Sequence, residues 1–132
     1  MSTELFWLVL TVAMTGLFWV PYILDRITVR GLMGAMANPS PSDKAQSPWA
    51  RRMMDAHTNA VENLVIFAPL VLTARALSIA TAATAFACAL YFWSRLVHGV
   101  VYTIGIPVLR TLSFAAGFVA QVLLVLAILK LI

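Results

Sequence analysis

With 132 residues, 62% of them hydrophobic and only 11% charged, the chain is excluded from the ordinary soluble class, in which about a quarter of residues carry charge. A mean hydropathy of +0.94 points to a membrane, and the length allows about four spanning helices of roughly 20 residues each and no second domain. The net charge of +4 does not signal a nucleic-acid partner, because the basic residues are scattered around expected helix ends instead of forming a run.

The apolar stretches are continuous rather than alternating, and a spanning helix satisfies its own backbone in lipid. The expected fold is therefore all-α: an integral membrane four-helix bundle with antiparallel, up-down spans, one domain over residues 1–132. The first span is expected from Leu5 to Leu24. It reads as a retained helix, since Glu4 stands where a signal peptide carries basic residues, the run is too long, and no small-x-small site follows. Asp25 to Asp55 is the only sizeable polar segment, and Asn38-Pro39-Ser40-Pro41-Ser42 with Ser47-Pro48 read as loop. The second span is expected from Ala56 to Leu77 and the third from Ile79 to Tyr102, so close in sequence that they should form a tight hairpin near Ser78. Gly105-Ile106-Pro107 turns the chain into the fourth span, Leu109 to Ile132, with proline suited to a helix opening.

Arg26, Arg30, Lys44, Arg51 and Arg52 fall in the long loop and Arg110 on the same side, against Arg75 and Lys130 near the other face. That asymmetry predicts a cytoplasmic loop and both termini outside. The single cysteine, Cys88, lies in an apolar stretch, where it can form neither an internal disulfide nor a cysteine metal cluster, so it reads as packing and no metal is expected.

Chemistry is concentrated in two polar rows. Arg52, Asp55, Asn59, Glu62 and Asn63 open the second span within an arc of about 100° on a helix. Arg51, Arg52 and Asp55 also fit a plain headgroup zone, but Glu62 and Asn63 lie deeper, followed at once by Leu64-Val65-Ile66-Phe67, where ionisable groups persist mainly by facing partners or a wet cavity. His57 projects away from this row. On the third span Tyr91, Arg95, His98 and Tyr102 gather within an arc of about 60°. An aromatic row alone would be core or interfacial belt, but Arg95 needs a carboxylate such as Glu62 or an anionic ligand. Two polar rows on neighbouring helices imply a shared cavity. Arg110 meets the positive end of its helix dipole, an unfavourable placement by a few tenths to about 1 kcal/mol. It is either a topology-setting arginine or one half of an anion site shared with the helix start, able to stabilise a thiolate or phosphate.

The run Arg52-Met53-Met54-Asp55-Ala56-His57-Thr58-Asn59-Ala60-Val61-Glu62-Asn63, then Arg95-Leu96-Val97-His98, Tyr102 and Gly105-Ile106-Pro107-Val108-Leu109-Arg110-Thr111, resembles the membrane-associated proteins in eicosanoid and glutathione metabolism (MAPEG). The likeness includes Ala37-Asn38-Pro39 and covers most of the chain. It implies a homotrimer that binds glutathione as co-substrate between subunits near the cytoplasmic side and conjugates, reduces or isomerises lipophilic electrophiles. By that resemblance Arg30, Arg52, Asn59, Glu62, Arg95 and Tyr102 match glutathione contacts, and Arg110 matches the arginine that activates the thiol. The chemistry is coherent: glutathione carries two carboxylates and an ammonium, and an adjacent guanidinium lowers a thiol pKa.

Asp55 and Thr58 depart from positions that are often basic in glutathione-using relatives, and each removes a cation from the implied anion site. The departures imply either weak glutathione affinity or a divergent bacterial branch, of the inner membrane, whose ligand is another thiol or a lipid. The leading expectation is a glutathione-dependent transferase or peroxidase, and the alternative is a non-catalytic member that binds lipid or assists a partner enzyme. A small four-span exporter ranks last, since such proteins carry an essential carboxylate in the first span and there is no acid between Leu5 and Leu24.

Overall fold

Ser2 starts the first helix by accepting the Leu5 amide on its hydroxyl at 3.4 Å, and α1 runs over Thr3–Leu17. The computed structural model describes residues 1–132, 81% of them helical, with no strand. At Phe18 the helix bends and continues as α2, Trp19–Met36. Pro21 accounts for the bend, because it has no amide to donate and its ring crowds the carbonyl four residues back, that of Leu17. The two segments form one bent rod, Thr3–Met36, long and apolar enough to cross a membrane.

The stretch from Asp25 to Asp55, expected as a polar loop, is largely helical. Helical structure continues to Met36, broken by a kink at Gly31, and resumes at Pro48, so the connection spans only residues 37–47. The charges in this stretch do not end the helix, because the returning segment supplies their partners. Arg26 and Arg30, one turn apart on α2, reach the connecting segment through Gln46 Oε1 at 3.0 Å and the Lys44 carbonyl at 2.8 Å. Buried Asp25 accepts the Ser47 amide at 3.0 Å, which fixes the chain entering the next helix.

Helix α3, Pro48–Ala76, places proline in its first turn, where the missing amide costs nothing. It ends in a tight turn, with the Ile79 amide on the Ala74 carbonyl at 2.8 Å and Ser78 at φ 57, the hairpin expected near that residue. Thr81 and Thr84 form a reciprocal capping box that opens α4, Ala82–Ile104. Gly105 and Pro107 then separate α4 from α5, Pro107–Ile128.

Three rods, Thr3–Met36, Ala82–Ile104 and Pro107–Ile128, meet the length and apolarity of a span. The polar row keeps α3 below that mark, yet its 29 residues extend about 43 Å against about 30 Å of hydrocarbon. It packs along α1, α4 and α5, completing an antiparallel four-helix bundle. Phe67 of α3 stacks on Tyr91 of α4 with ring centroids 3.7 Å apart and planes 6° apart. Leu8, Val71, Cys88 and Leu124 close the core around them, so Cys88 is packing as expected. Outward, Val9, Val65, Phe86, Trp93 and Phe118 are exposed, a surface suited to lipid tails rather than water.

Gly105 has a double requirement. Its φ is +85°, and a Cβ there would sit 3.3 Å from Arg52 Nε. Gly105→Ala is expected to destabilise the protein by about 1–2 kcal/mol, read as a lower midpoint of unfolding in detergent. An unchanged midpoint would remove the strain argument.

Candidate functional site

Two residues of α4, one of α3 and three of α5 converge on one cavity near the Gly105 turn. Asn59, His98, Tyr102, Arg110, Thr111 and Phe114 line a space of about 300 Å³. Arg110 is half-buried in the first turn of α5, and its guanidinium carbon stands 4.8 Å from the centre of the Tyr102 ring. Ile106, the residue before that turn, offers no side-chain cap. The early amides of α5 therefore share with Arg110 the electropositive end of the helix.

Behind the cavity lies Arg95, only 2% exposed. Its Nη2 donates to Asn59 Oδ1 at 2.5 Å and stands 3.3 Å from His98 Nδ1. Nε and Nη1 are buried without a partner, as is the Tyr91 hydroxyl. Stranding donors of a buried cation is costly, since removal from water has to be repaid by a counter-charge or hydrogen bonds. No carboxylate repays it within the chain, because the one ion pair present joins Arg30 to Asp43 at 3.3 Å. The expected pairing of Arg95 with Glu62 is thus absent from the single chain, and Glu62 faces outward from α3, exposed. Asn63 Nδ2 donates to the Asn59 backbone carbonyl at 2.9 Å and to Asn59 Oδ1, the oxygen that meets Arg95, at 3.4 Å. Gln121 of α5 donates to the Asn63 carbonyl at 3.2 Å and ties the third wall to the same cluster.

The other expected residues fall in different places. Arg52 lies toward the start of α3, where its Nε donates to the Thr103 carbonyl at 2.8 Å and braces the end of α4. Arg30 lines a separate space beside the 37–47 segment, where it donates to Asp43 and to the Lys44 carbonyl. Asn59, Arg95, Tyr102 and Arg110 are brought together, while Arg30, Arg52 and Glu62 are not joined to them within one chain. His57 is turned away from the cavity, with its Nδ1 hydrogen-bonded to the Tyr22 hydroxyl at 2.8 Å and its ring near Phe18.

His98 belongs to the site, although along the chain it stands out only as one member of the α4 row. Its offset of three from Arg95, one helical turn, was the available signal. Thr111 and Phe114 carried none, since their place depends on how α5 packs against α4.

No curated relative and no solved structure matches the chain. A family model described as the MAPEG family matches residues 5–130. With that match running over nearly the whole length, and with the arginine, asparagine and tyrosine of the motif gathered on one cavity, the chain belongs to the MAPEG family.

Proposed function

We propose that this protein is a membrane-bound, glutathione-dependent transferase or peroxidase acting on lipophilic electrophiles. The observation that carries the reading is Arg110 on the cavity at an open helix start, with Arg95 buried behind Asn59 and His98 and two of its nitrogens without a partner. A tripeptide with two carboxylates supplies the counter-charge for Arg95. Its sulfur, placed toward Arg110, meets a fixed guanidinium and the α5 dipole, both of which favour thiolate over thiol. Asn59 and His98 hold Arg95, and the Tyr102 ring holds Arg110 by its face. The apolar helix faces admit the electrophile from lipid. The family to which the chain belongs includes glutathione transferases and peroxidases.

The test is turnover of glutathione with an aryl halide or a lipid hydroperoxide by purified protein in detergent. Glutathione binding without turnover of either class would shift the assignment to a non-catalytic binder, the second reading. Asp55 and Thr58 favour that second reading, since both are exposed on α3 where a cation would otherwise add to the anion site.

The active assembly in this proposal is a homotrimer in the inner membrane with the 37–47 segment cytoplasmic. Glu62 supports it: an exposed carboxylate on a span, flanked by exposed Val61, Val65 and Ile66, has to be covered by something other than lipid. A neighbouring copy supplies that cover, and the carboxylate then faces the ligand ammonium or Arg95 across the boundary. Native mass spectrometry in mild detergent is expected to show trimers. In an intact trimer, Glu62→Gln is expected to weaken glutathione binding. Unchanged affinity would return Glu62 to a structural role.

A further inference from the structure

Apart from the Arg110 cavity, a second space of about 450 Å³ opens between α2, the 37–47 segment and the start of α3. Arg26, Arg30 and Arg51 line it, and Asp43 is the one carboxylate among its walls. Asp43 is already bound to Arg30 at 3.3 Å and accepts the Ser40 amide at 3.0 Å. Arg26 uses Nε on Gln46 and makes no other hydrogen bond, and Arg51 makes none with its side chain. Two guanidiniums therefore face the space with hydrogen-bonding capacity to spare.

The walls are built rather than loose. Gln46, 6% exposed, donates to the Tyr22 carbonyl at 2.7 Å and to Asp25 at 3.3 Å while it accepts from Arg26. That saturated amide pins the connecting segment onto α2 and sets the direction of Arg26. The Gly31 break, at φ 72 and ψ 167, turns the end of α2, where Leu32, Met33 and Met36 are exposed apolar side chains. Trp49, also exposed, stands in the first turn of α3. Tryptophan at a span end marks the headgroup depth of a bilayer.

We propose that this space binds the phosphate of an anionic phospholipid, with Arg26 and Arg51 as its contacts and Arg30 as the third wall. Guanidinium groups meet phosphate oxygens in bidentate, charge-assisted pairs. Basic recesses at the ends of spanning helices suit lipid headgroups of this charge. The exposed Leu32, Met33 and Met36 beside the recess select the lipid over free phosphate, because they offer acyl chains a surface that a soluble anion cannot use. Of the three arginines only Arg30 matches a glutathione contact by the family resemblance, and neither Arg26 nor Arg51 takes part in the thiol site proposed above, so a variant at those two separates the assignments.

Native mass spectrometry of the purified assembly with phosphatidylglycerol, phosphatidylcholine or inorganic phosphate gives the test. Phosphatidylglycerol is expected to be retained over phosphatidylcholine, and the double variant Arg26→Gln, Arg51→Gln to reduce that preference on the order of tenfold. Glutathione binding and the oligomeric state of the variant should be unchanged. Equal retention of the two lipids, or an unaltered preference in the intact double variant, overturns the proposal. Retention of inorganic phosphate as strong as that of phosphatidylglycerol also overturns it, in favour of a soluble-anion site. Displacement of phosphatidylglycerol by glutathione overturns it by making the recess part of the thiol site.

Discussion

Arg110→Ala is expected to lower turnover of glutathione with an electrophile by on the order of 10²-fold, the usual loss when one preorganised donor to a developing anion is removed. Ground-state binding should fall far less, because Arg95 and Asn59, which hold the carboxylate end in this proposal, are untouched. The bound thiol should titrate at higher pH in the variant, since the guanidinium that favoured the anion is gone. In this proposal wild type is expected to hold thiolate near neutral pH, and the variant to gain it only as pH rises toward the ordinary thiol range. Thiolate absorbance of the bound tripeptide across pH measures this directly. Identical titration curves for the two proteins, or no thiolate in wild type near neutral pH, would sink the catalytic role of Arg110. A tyrosine face 4.8 Å from the guanidinium carbon also predicts that Arg110→Lys rescues only part of the rate, because an ammonium lacks the planar stacking of arginine.

The fold was legible where apolar length and turn chemistry agree. The Gly105-Pro107 boundary between spans three and four was readable because glycine and proline occupy positions that they fill well, and the turn at Ser78 because two long apolar runs meet there with almost no residues to spare. The extension of α2 to Met36 was not, because Asp25, Arg26 and Arg30 suggest a polar loop unless one knows that the segment returning at Asp43 and Gln46 binds them. Within the site, helical periodicity grouped Asn59 with Arg52 and Glu62, whereas packing divides that row. Asn59 turns to Arg95, Arg52 to the Thr103 carbonyl, and Glu62 to the outside. An arc of about 100° is wide enough to meet more than one neighbour. Periodicity specifies a face and leaves open which parts of it are covered by the same helix. The missing ion pair of Arg95 follows from this: the sequence shows two opposite charges, and only the bundle shows that they diverge.

Arg95→Met is expected to separate stability from binding. In a buried site with two nitrogens unpartnered, replacing the guanidinium by an apolar chain of similar length removes a desolvation penalty, and such exchanges are often neutral or stabilising by about 1–4 kcal/mol. The midpoint of unfolding without ligand should therefore hold or rise. Glutathione affinity should fall at least about tenfold, because charge-assisted hydrogen bonds to a carboxylate contribute about 1.5–3 kcal/mol. Asn59→Ala makes the contrast. It leaves the arginine in place and strips one of its few partners, so it should destabilise the ligand-free protein by about 1–3 kcal/mol. Added glutathione should recover part of that loss by supplying the missing acceptor. The opposite pattern, in which Arg95→Met unfolds the bundle while the surviving fraction binds glutathione as wild type does, would make Arg95 a strut of the α3–α4 contact. The anion would then have to be held by Arg110 alone.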